Sequence, residues 1–278
     1  MAAGRVPAHC CAGLNRSTVA ALVAELRELG LAFESEPGQT NLVGRPSPTV
    51  HPDPRTLAIA VNPEVDAVTV GLVSLAGKVV KRVRVDTDAP PTVDEAIAIT
   101  SDVVARLQSE NLSNRIVGIG VAVPGMVRAG DGLVRLAPHL NWIDEPFATL
   151  LSDATGLPVQ AGNDASLGAM AERMFGAGRG MTDLIYLNGG ASGIGGGIIA
   201  SGVALGGAEG YAGEFGHIRV NSSVGSYVDG LVGDRLLEKA SSRSAKVIAS
   251  ICGIASIGNP EISGSSPSGT IECTMLSA

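Results

Sequence analysis

The sequence predicts an α/β protein, a mixed sheet covered by helices, with a short helix-and-wing unit ahead of it. Three observations carry that prediction. From Leu57 onward, strand-like runs take turns with stretches of helical periodicity. Before them stands one amphipathic stretch with stop and start signals at its ends, followed by a Gly/Pro-punctuated segment. Glycine is abundant, 37 of 278 residues, and it clusters where tight turns and close backbone approach are needed.

In the N-terminal stretch, Val19, Leu22, Val23, Leu26 and Leu29 fall on one helical face, with Asn15 or Ser17 as the cap and Gly30 as the stop. Residues 32–56, with Gly44-Arg45-Pro46 inside them, suit a short β-wing and a linker. Leu57–Val61 and Val65–Ser74 read as strands, with Ala76-Gly77 turning into a returning Lys78–Val85. Thr92–Gln108 reads as a helix. Ile116–Val123 is a near-continuous apolar run, the pattern of a strand buried on both faces. A short helix at Ala148–Thr155 leads to a strand at Pro158-Val159. A helix at Ala165–Phe175, a strand at Asp183–Leu187 and the glycine-interrupted Gly193–Ile199 follow, turning back at Ser201-Gly202. Leu231–Ala240 reads as a helix, and the Ser/Gly/Pro-rich text beyond Ser241 is expected to be poorly ordered.

Composition narrows the function classes. The net charge is −7 and the pI about 5.1, so the chain as a whole has no basic footprint. Residues 1–56 balance Arg5, Arg16, Arg27, Arg45 and Arg55 against Glu25, Glu28, Glu34, Glu36 and Asp53, so DNA contact must rest on local placement. Aromatics make up 3%, too few for single-strand stacking platforms. The four cysteines (Cys10, Cys11, Cys252, Cys273) form no CxxC pair. With no signal-peptide pattern and no membrane-length apolar run, the expected location is cytoplasmic, with reduced thiols.

Candidate sites follow from residue types at element joints. Asn15, Arg16, Ser17 and Thr18 put short polar and basic side chains at a helix start, as a recognition helix in a major groove requires. Arg45 would sit at a wing, within reach of a minor groove or phosphate. A plain amphipathic surface helix accounts for the helix pattern equally well. Val123-Pro124-Gly125 is a tight loop after a buried strand, where α/β sheets bind ligands, and equally an ordinary turn. In Gly162-Asn163-Asp164-Ala165, Asp164 caps a helix or accepts a proton from a sugar hydroxyl, with Asn163 beside it. The run Asn188–Gly197 offers backbone amides to a phosphate, through Gly193, Gly195 and Gly196. Gly213-Glu214-Phe215-Gly216-His217 adds a carboxylate and an imidazole.

Taken together, these segments resemble the ROK family of repressors, open reading frames and sugar kinases. The resemblance runs from about Gly13 to Val220 and adds Leu140-Asn141-Trp142 to the stretches above. It implies an actin-like, ribonuclease H-like two-lobed sugar kinase fold over 57–278, with lobes at 57–160 and 161–278, behind a partial winged helix-turn-helix at 1–56. It implies a sugar site between the lobes, built from Gly125, Asn163, Asp164, Glu214 and His217, with Asp164 matching the general base of the kinases. In the repressors, the winged helix binds double-stranded operator DNA and the kinase-like domain binds a sugar or sugar phosphate as effector. The family expectation is a homodimer.

The departures from the family pattern shape the expected function. Where the kinases carry an Asp-x-Gly-x-Thr phosphate turn, this chain reads Ala60–Val68, with Pro63-Glu64 and neither the Gly nor the Thr. Of the family's zinc ligands only His217 is kept, because residues 221–230 contain no cysteine, so no metal or other cofactor is expected. Both ends read as shortened against the family. The expected function is a sugar-responsive transcription repressor without kinase activity. The alternatives are a ROK sugar kinase and a non-functional remnant of the family.

Overall fold

The computed structural model describes residues 15–35, 48–190, 193–221 and 226–227. Helix α1 (Arg16–Glu28) starts on Asn15, whose side-chain oxygen accepts from the Thr18 amide at 2.9 Å. It stops at Gly30, which takes φ +67, a conformation glycine adopts without penalty. Strands β1 (Ala32–Ser35) and β2 (Thr49–Pro52) follow as an antiparallel pair, with Ala32 opposite Pro52. Gly44, Arg45 and Pro46, expected at a wing, lie outside the described residues.

The apolar face of α1 departs from expectation. No residue of the helix is buried, and Leu22, Leu26 and Leu29 stand 40–50% exposed. Val19 and Val23 on the same face are half-buried.

The expected linker is instead a tight joint. Asp53 is buried, its amide donates to Leu31 O, and its carboxylate accepts from the backbone and guanidinium of Arg55. The Arg55 guanidinium holds the Asp53 carboxyl down at about 2. Thr56 Oγ1 donates to Gly30 O, and the Arg115 guanidinium donates to Leu29 O, which ties the end of α1 to the sheet.

That sheet has five strands. They are β3 (Thr56–Pro63), β4 (Ala67–Ser74), β5 (Val79–Asp86), β6 (Arg115–Val123) and β10 (Val159–Asn163), in the order β10-β6-β3-β4-β5. Strands β3, β6 and β10 run parallel, with β4 antiparallel between β3 and β5. Helices α2 (Val93–Glu110) and α3 (Phe147–Thr155) lie on one face. A capping box between Thr92 and Glu95 starts α2. The core forms there, from Ile59, Val61, Val70, Leu72, Val103, Leu107, Val121 and Leu151.

The expectation that β6 is buried on both faces is overturned. Its burial alternates: Ile119, Val121 and Val123 point into the core, whereas Val117 is 42% exposed. The opposite face carries Gly118, small enough for neighbouring backbone to approach. A Cβ on Gly118 would come within 2.8 Å of Pro158 O.

A small antiparallel sheet follows, to which no sequence pattern points, made of β7 (Met126–Val127), β8 (Val134–Ala137) and β9 (Trp142–Glu145). Buried Trp142 anchors it, donating to Pro91 O at 3.0 Å and packing on Phe147. Beyond β10, helix α4 (Asp164–Phe175) lies against a second antiparallel sheet, β11 (Leu184–Gly190), β12 (Gly193–Ala200) and β13 (Val203–Ala204). The β12–β13 turn is Ser201-Gly202, both at positive φ, as a two-residue hairpin demands. A last pair, β14 (Arg219–Asn221) and β15 (Ser226–Tyr227), closes the described part. The expected helix at Leu231–Ala240 lies outside it.

Candidate functional site

The parallel strands β3, β6 and β10 end on one edge of the sheet, and the site gathers there. After β6, Val123-Pro124-Gly125 turns sharply, and the Gly125 amide donates to Val123 O. Only glycine fits, because a Cβ at 125 would lie 2.4 Å from Leu136 O. After β10, Asn163 caps α4. Its Oδ1 accepts from the Ser166 amide at 2.9 Å, and its Nδ2 donates to Gly125 O at 3.1 Å. The capping and site readings of this segment therefore meet in one residue, and Asn163 joins the two strand ends.

Asp164 sits at the first position of α4. Its carboxylate accepts from the Ala165 amide at 2.8 Å and from Asn188 Nδ2 at 3.4 Å. Burial pushes its pKa above the usual carboxylate value, and those two hydrogen bonds work against the rise. Asn188 is on β11, opposite Gly195 of β12.

Glu214 and His217 belong to the 3-10 turn at Phe215–His217, with His217 Nε2 3.9 Å from Glu214 Oε2. Two glycines seat this turn on β12. A Cβ on Gly196 would fall 1.9 Å from the Phe215 ring, and one on Gly213, at φ +99, would fall 2.1 Å from Gly196 O.

These residues line one cleft of about 310 Å³, at the lower end of ligand-pocket sizes. Of the sequence-predicted sugar residues, Gly125, Asn163, Asp164, Glu214 and His217 all come together here. The sequence reading missed Asn188 and His139 on the polar side, and Met126, Leu136, Pro138 and Ile194 on the apolar side. Asn188 carried a signal, as the residue that opens the glycine run. The apolar wall carried none, since it depends on β7 and β8.

The expected phosphate loop is corrected in its local structure. Gly193, Gly195 and Gly196 lie in strand β12, paired with Gly190, Asn188 and Leu187, rather than in an open loop. Close packing explains the glycines: Cβ atoms at 195 and 197 would lie 2.9 Å from Ala165 Cβ and 2.5 Å from Ala169 Cβ. Gly195 lines the cleft. The turn between β3 and β4 carries Glu64 and Asp66. Arg84 pairs with both and with Asp86, all at the same edge of the sheet as the cleft.

The DNA-binding candidates stand apart on α1. Asn15, Arg16, Ser17 and Thr18 are exposed, and the Asn15 oxygen also accepts from the Ser17 and Thr18 hydroxyls. No group of three or more His, Cys, Asp or Glu is gathered as a metal site among the described residues. Cys252 and Cys273 are outside them.

Comparison with known proteins bears on the site's ancestry. The family model described as "ROK family" matches residues 58–253, well over half of the chain. The chain belongs to the ROK family. A xylose repressor of Caldicellulosiruptor bescii is 31% identical over 211 residues, covering 75% of this chain and 52% of that one. A glucokinase of Thermotoga maritima is 35% identical over 153 residues, covering 55% and 47%. The chain thus spans about half the length of the curated ROK relatives it matches. Among solved structures, a ROK family transcriptional regulator, a homologue of the E. coli MLC protein, superposes with TM-score 0.67 at 21% identity, covering 90% of this chain and 66% of that one. At that identity the likeness speaks for the fold alone. A ROK family glucokinase from Streptomyces griseus, in complex with glucose and AMPPNP, gives TM-score 0.57 at 30% identity, covering 70% and 64%. No helix among the described residues is long and apolar enough to cross a membrane.

Proposed function

We propose that this ROK chain is a sugar-responsive transcription repressor of the cytoplasm. In this reading the Asn163–Asp164–Glu214 cleft takes the effector and α1 binds operator DNA as the recognition helix of a partial winged helix. One observation carries the reading. Asn163, Asp164, Glu214 and His217 line one cleft, and the β3–β4 turn at the same sheet edge carries an ion-pair knot. Around the β3–β4 turn, Glu64, Asp66 and Asp86 face a single cation, Arg84. Three carboxylates against one guanidinium leave that edge anionic, where a kinase must neutralise a triphosphate. The resemblance to a xylose repressor over three quarters of the chain supports the same assignment.

The assigned roles follow the geometry. Asp164 and Glu214 accept from sugar hydroxyls, Asn188 fixes the Asp164 carboxylate, Asn163 ties the ends of β6 and β10 together, and the Met126–Leu136 wall packs against the apolar face of the ring. Arg16 contacts a base edge or phosphate, and Arg45 extends the footprint from the wing. The operator is two-fold and is read by a homodimer. No metal takes part in this reading. The test is a mobility shift with DNA upstream of the gene. Binding should weaken with salt and fall about tenfold in Arg16→Ala, the loss of roughly 1–3 kcal/mol expected for a bidentate contact. A full chain that binds no such DNA at low salt removes the repressor reading.

Kinase activity is the second reading, favoured by the placement of Asp164 at the cleft and by the glucokinase relatives. A coupled ATP assay over hexoses and N-acetylhexosamines decides it. Turnover that disappears in Asp164→Asn would establish the kinase.

A further inference from the structure

We propose that the Glu209–Gly210 step is a clasp that positions Glu214. It fastens residues 205–218 to the β7–β8 hairpin at a point outside the cleft, and ligand affinity depends on it. The inference rests on the reading of the cleft as a sugar site.

The cleft has two walls from distant parts of the chain. Met126 and Leu136 come from β7 and β8, and Glu214 and His217 from the segment after β13. The walls meet away from the pocket, where the Ala129 amide donates to Glu209 O at 2.9 Å. Gly210 lies flush on the hairpin there. A Cβ on it would stand 3.0 Å from Ala129 Cβ and 3.3 Å from both Ala129 N and Val127 O. This contact imposes an unusual backbone: Gly207, Glu209, Gly210 and Gly213 all take positive φ, and Glu209 does so at φ 54 without being glycine. A non-glycine residue is strained there, so the surrounding contacts must hold it.

From the clasp the chain runs directly to the carboxylate. Tyr211 and Ala212 amides donate to Ala208 O and Gly206 O, which stiffens the turn. Gly213 then seats on Gly196 O, and Glu214 follows at once. Glu214 therefore hangs between two backbone pins, one on the hairpin and one on β12. Charge accompanies the contact. The Glu209 carboxylate lies near enough to Tyr211 to add to the upward push that burial gives its hydroxyl, and it adds to Asp131 in holding Arg128 charged. No role for Glu209 or Gly210 was legible in the sequence, because both act through backbone.

The test uses the full chain, peptide-level hydrogen exchange, and calorimetric titration with D-xylose and D-glucose as probes. Gly210→Ala should speed exchange at least tenfold in peptides covering Ala129 and 213–218, with β3 and β6 unchanged. It should weaken binding of whichever probe the parent protein takes by tenfold or more. Gly206→Ala is the matched control, since its Cβ would have 3.7 Å of room, and it should match the parent. Glu209→Gly relieves the left-handed strain yet keeps the carbonyl, so exchange and affinity should stay level or improve. Unchanged exchange at 213–218 in Gly210→Ala overturns the clasp, as does loosening in Glu209→Gly or full affinity in an opened Gly210→Ala. If neither probe binds the parent, the sugar-site reading is what fails, and the exchange results still decide the clasp.

Discussion

Asp164 illustrates how one carboxylate is tuned by its surroundings. Its folded pKa is raised, with burial the dominant cause. An acid with a raised folded pKa keeps its proton longer when folded, so between the two pKa values the native state binds more protons. Stability from this group is therefore present below the unfolded value, near 3.9, and lost as pH rises through the folded one. Asp164→Asn should raise the melting midpoint at pH 7 and lose that advantage near pH 3. Asn188 can turn its amide oxygen toward the new Nδ2, so the contact survives. A pH-independent difference between the variant and the parent would count against the assignment. Gly196 makes the complementary case by sterics. Gly196→Ala drives a Cβ to 1.9 Å from the Phe215 ring, and overpacking of this kind costs about 1–3 kcal/mol. The expected readout is a lower melting midpoint together with loss of sugar response, because the turn carrying Glu214 must move. Asn163 and Asp164 stood out as polar groups between a strand and a helix, and the family resemblance joined Glu214 and His217 to them. Asn188 showed only as the residue that opens the glycine run, and His139 not at all, since its relevance comes from where the turn after β8 is placed.

Elements were legible in proportion to their periodicity. Helices α2 and α4 and strands β3, β4 and β6 carry strong repeats and caps, and they fall within a few residues of their expected bounds. Strands β7 to β9 have at most four residues each, too short to show alternation, so the small sheet that builds the apolar wall went unseen. The glycine run was read as loop because strands seldom contain four glycines. Its reason is the helix lying against it, a tertiary demand that local propensity does not encode. The joint at Asp53 was equally hidden, since an Asp-Pro-Arg-Thr string reads as linker. Its test is direct. With the Asp53 carboxyl lowered to about 2, the stabilisation it brings is present above the unfolded value, near 3.9, and lost as pH falls through about 2. Asp53→Asn should therefore lower the melting midpoint at pH 6 and leave it near the parent's at pH 2. Equal midpoints at pH 6 would mean that the joint is held without this ion pair.

At the scale of the molecule, β3 and β6 reach from the helix to the cleft. At their starts, Thr56 holds Gly30 O and Arg115 holds Leu29 O; their other ends, Pro63 and Val123, border the turns of the ligand edge. A ligand alters DNA affinity only if the two sites bias the same pair of states, and the coupling is then reciprocal. Among the described residues those two side-chain hydrogen bonds join α1 and its C-terminal turn to the sheet, so they are the place to cut. Arg115→Ala removes a charge-assisted bond to the last turn of α1 at the exposed start of β6, far along the strand from Asn163 and Asp164. Sugar affinity should be unchanged in this variant. The factor by which saturating sugar shifts operator affinity should fall from the 5–150-fold typical of allosteric pairs toward one. Titrating DNA with and without sugar in parent and variant measures both quantities. A variant that keeps the full factor would mean that the coupling does not run through the Arg115–Leu29 bond.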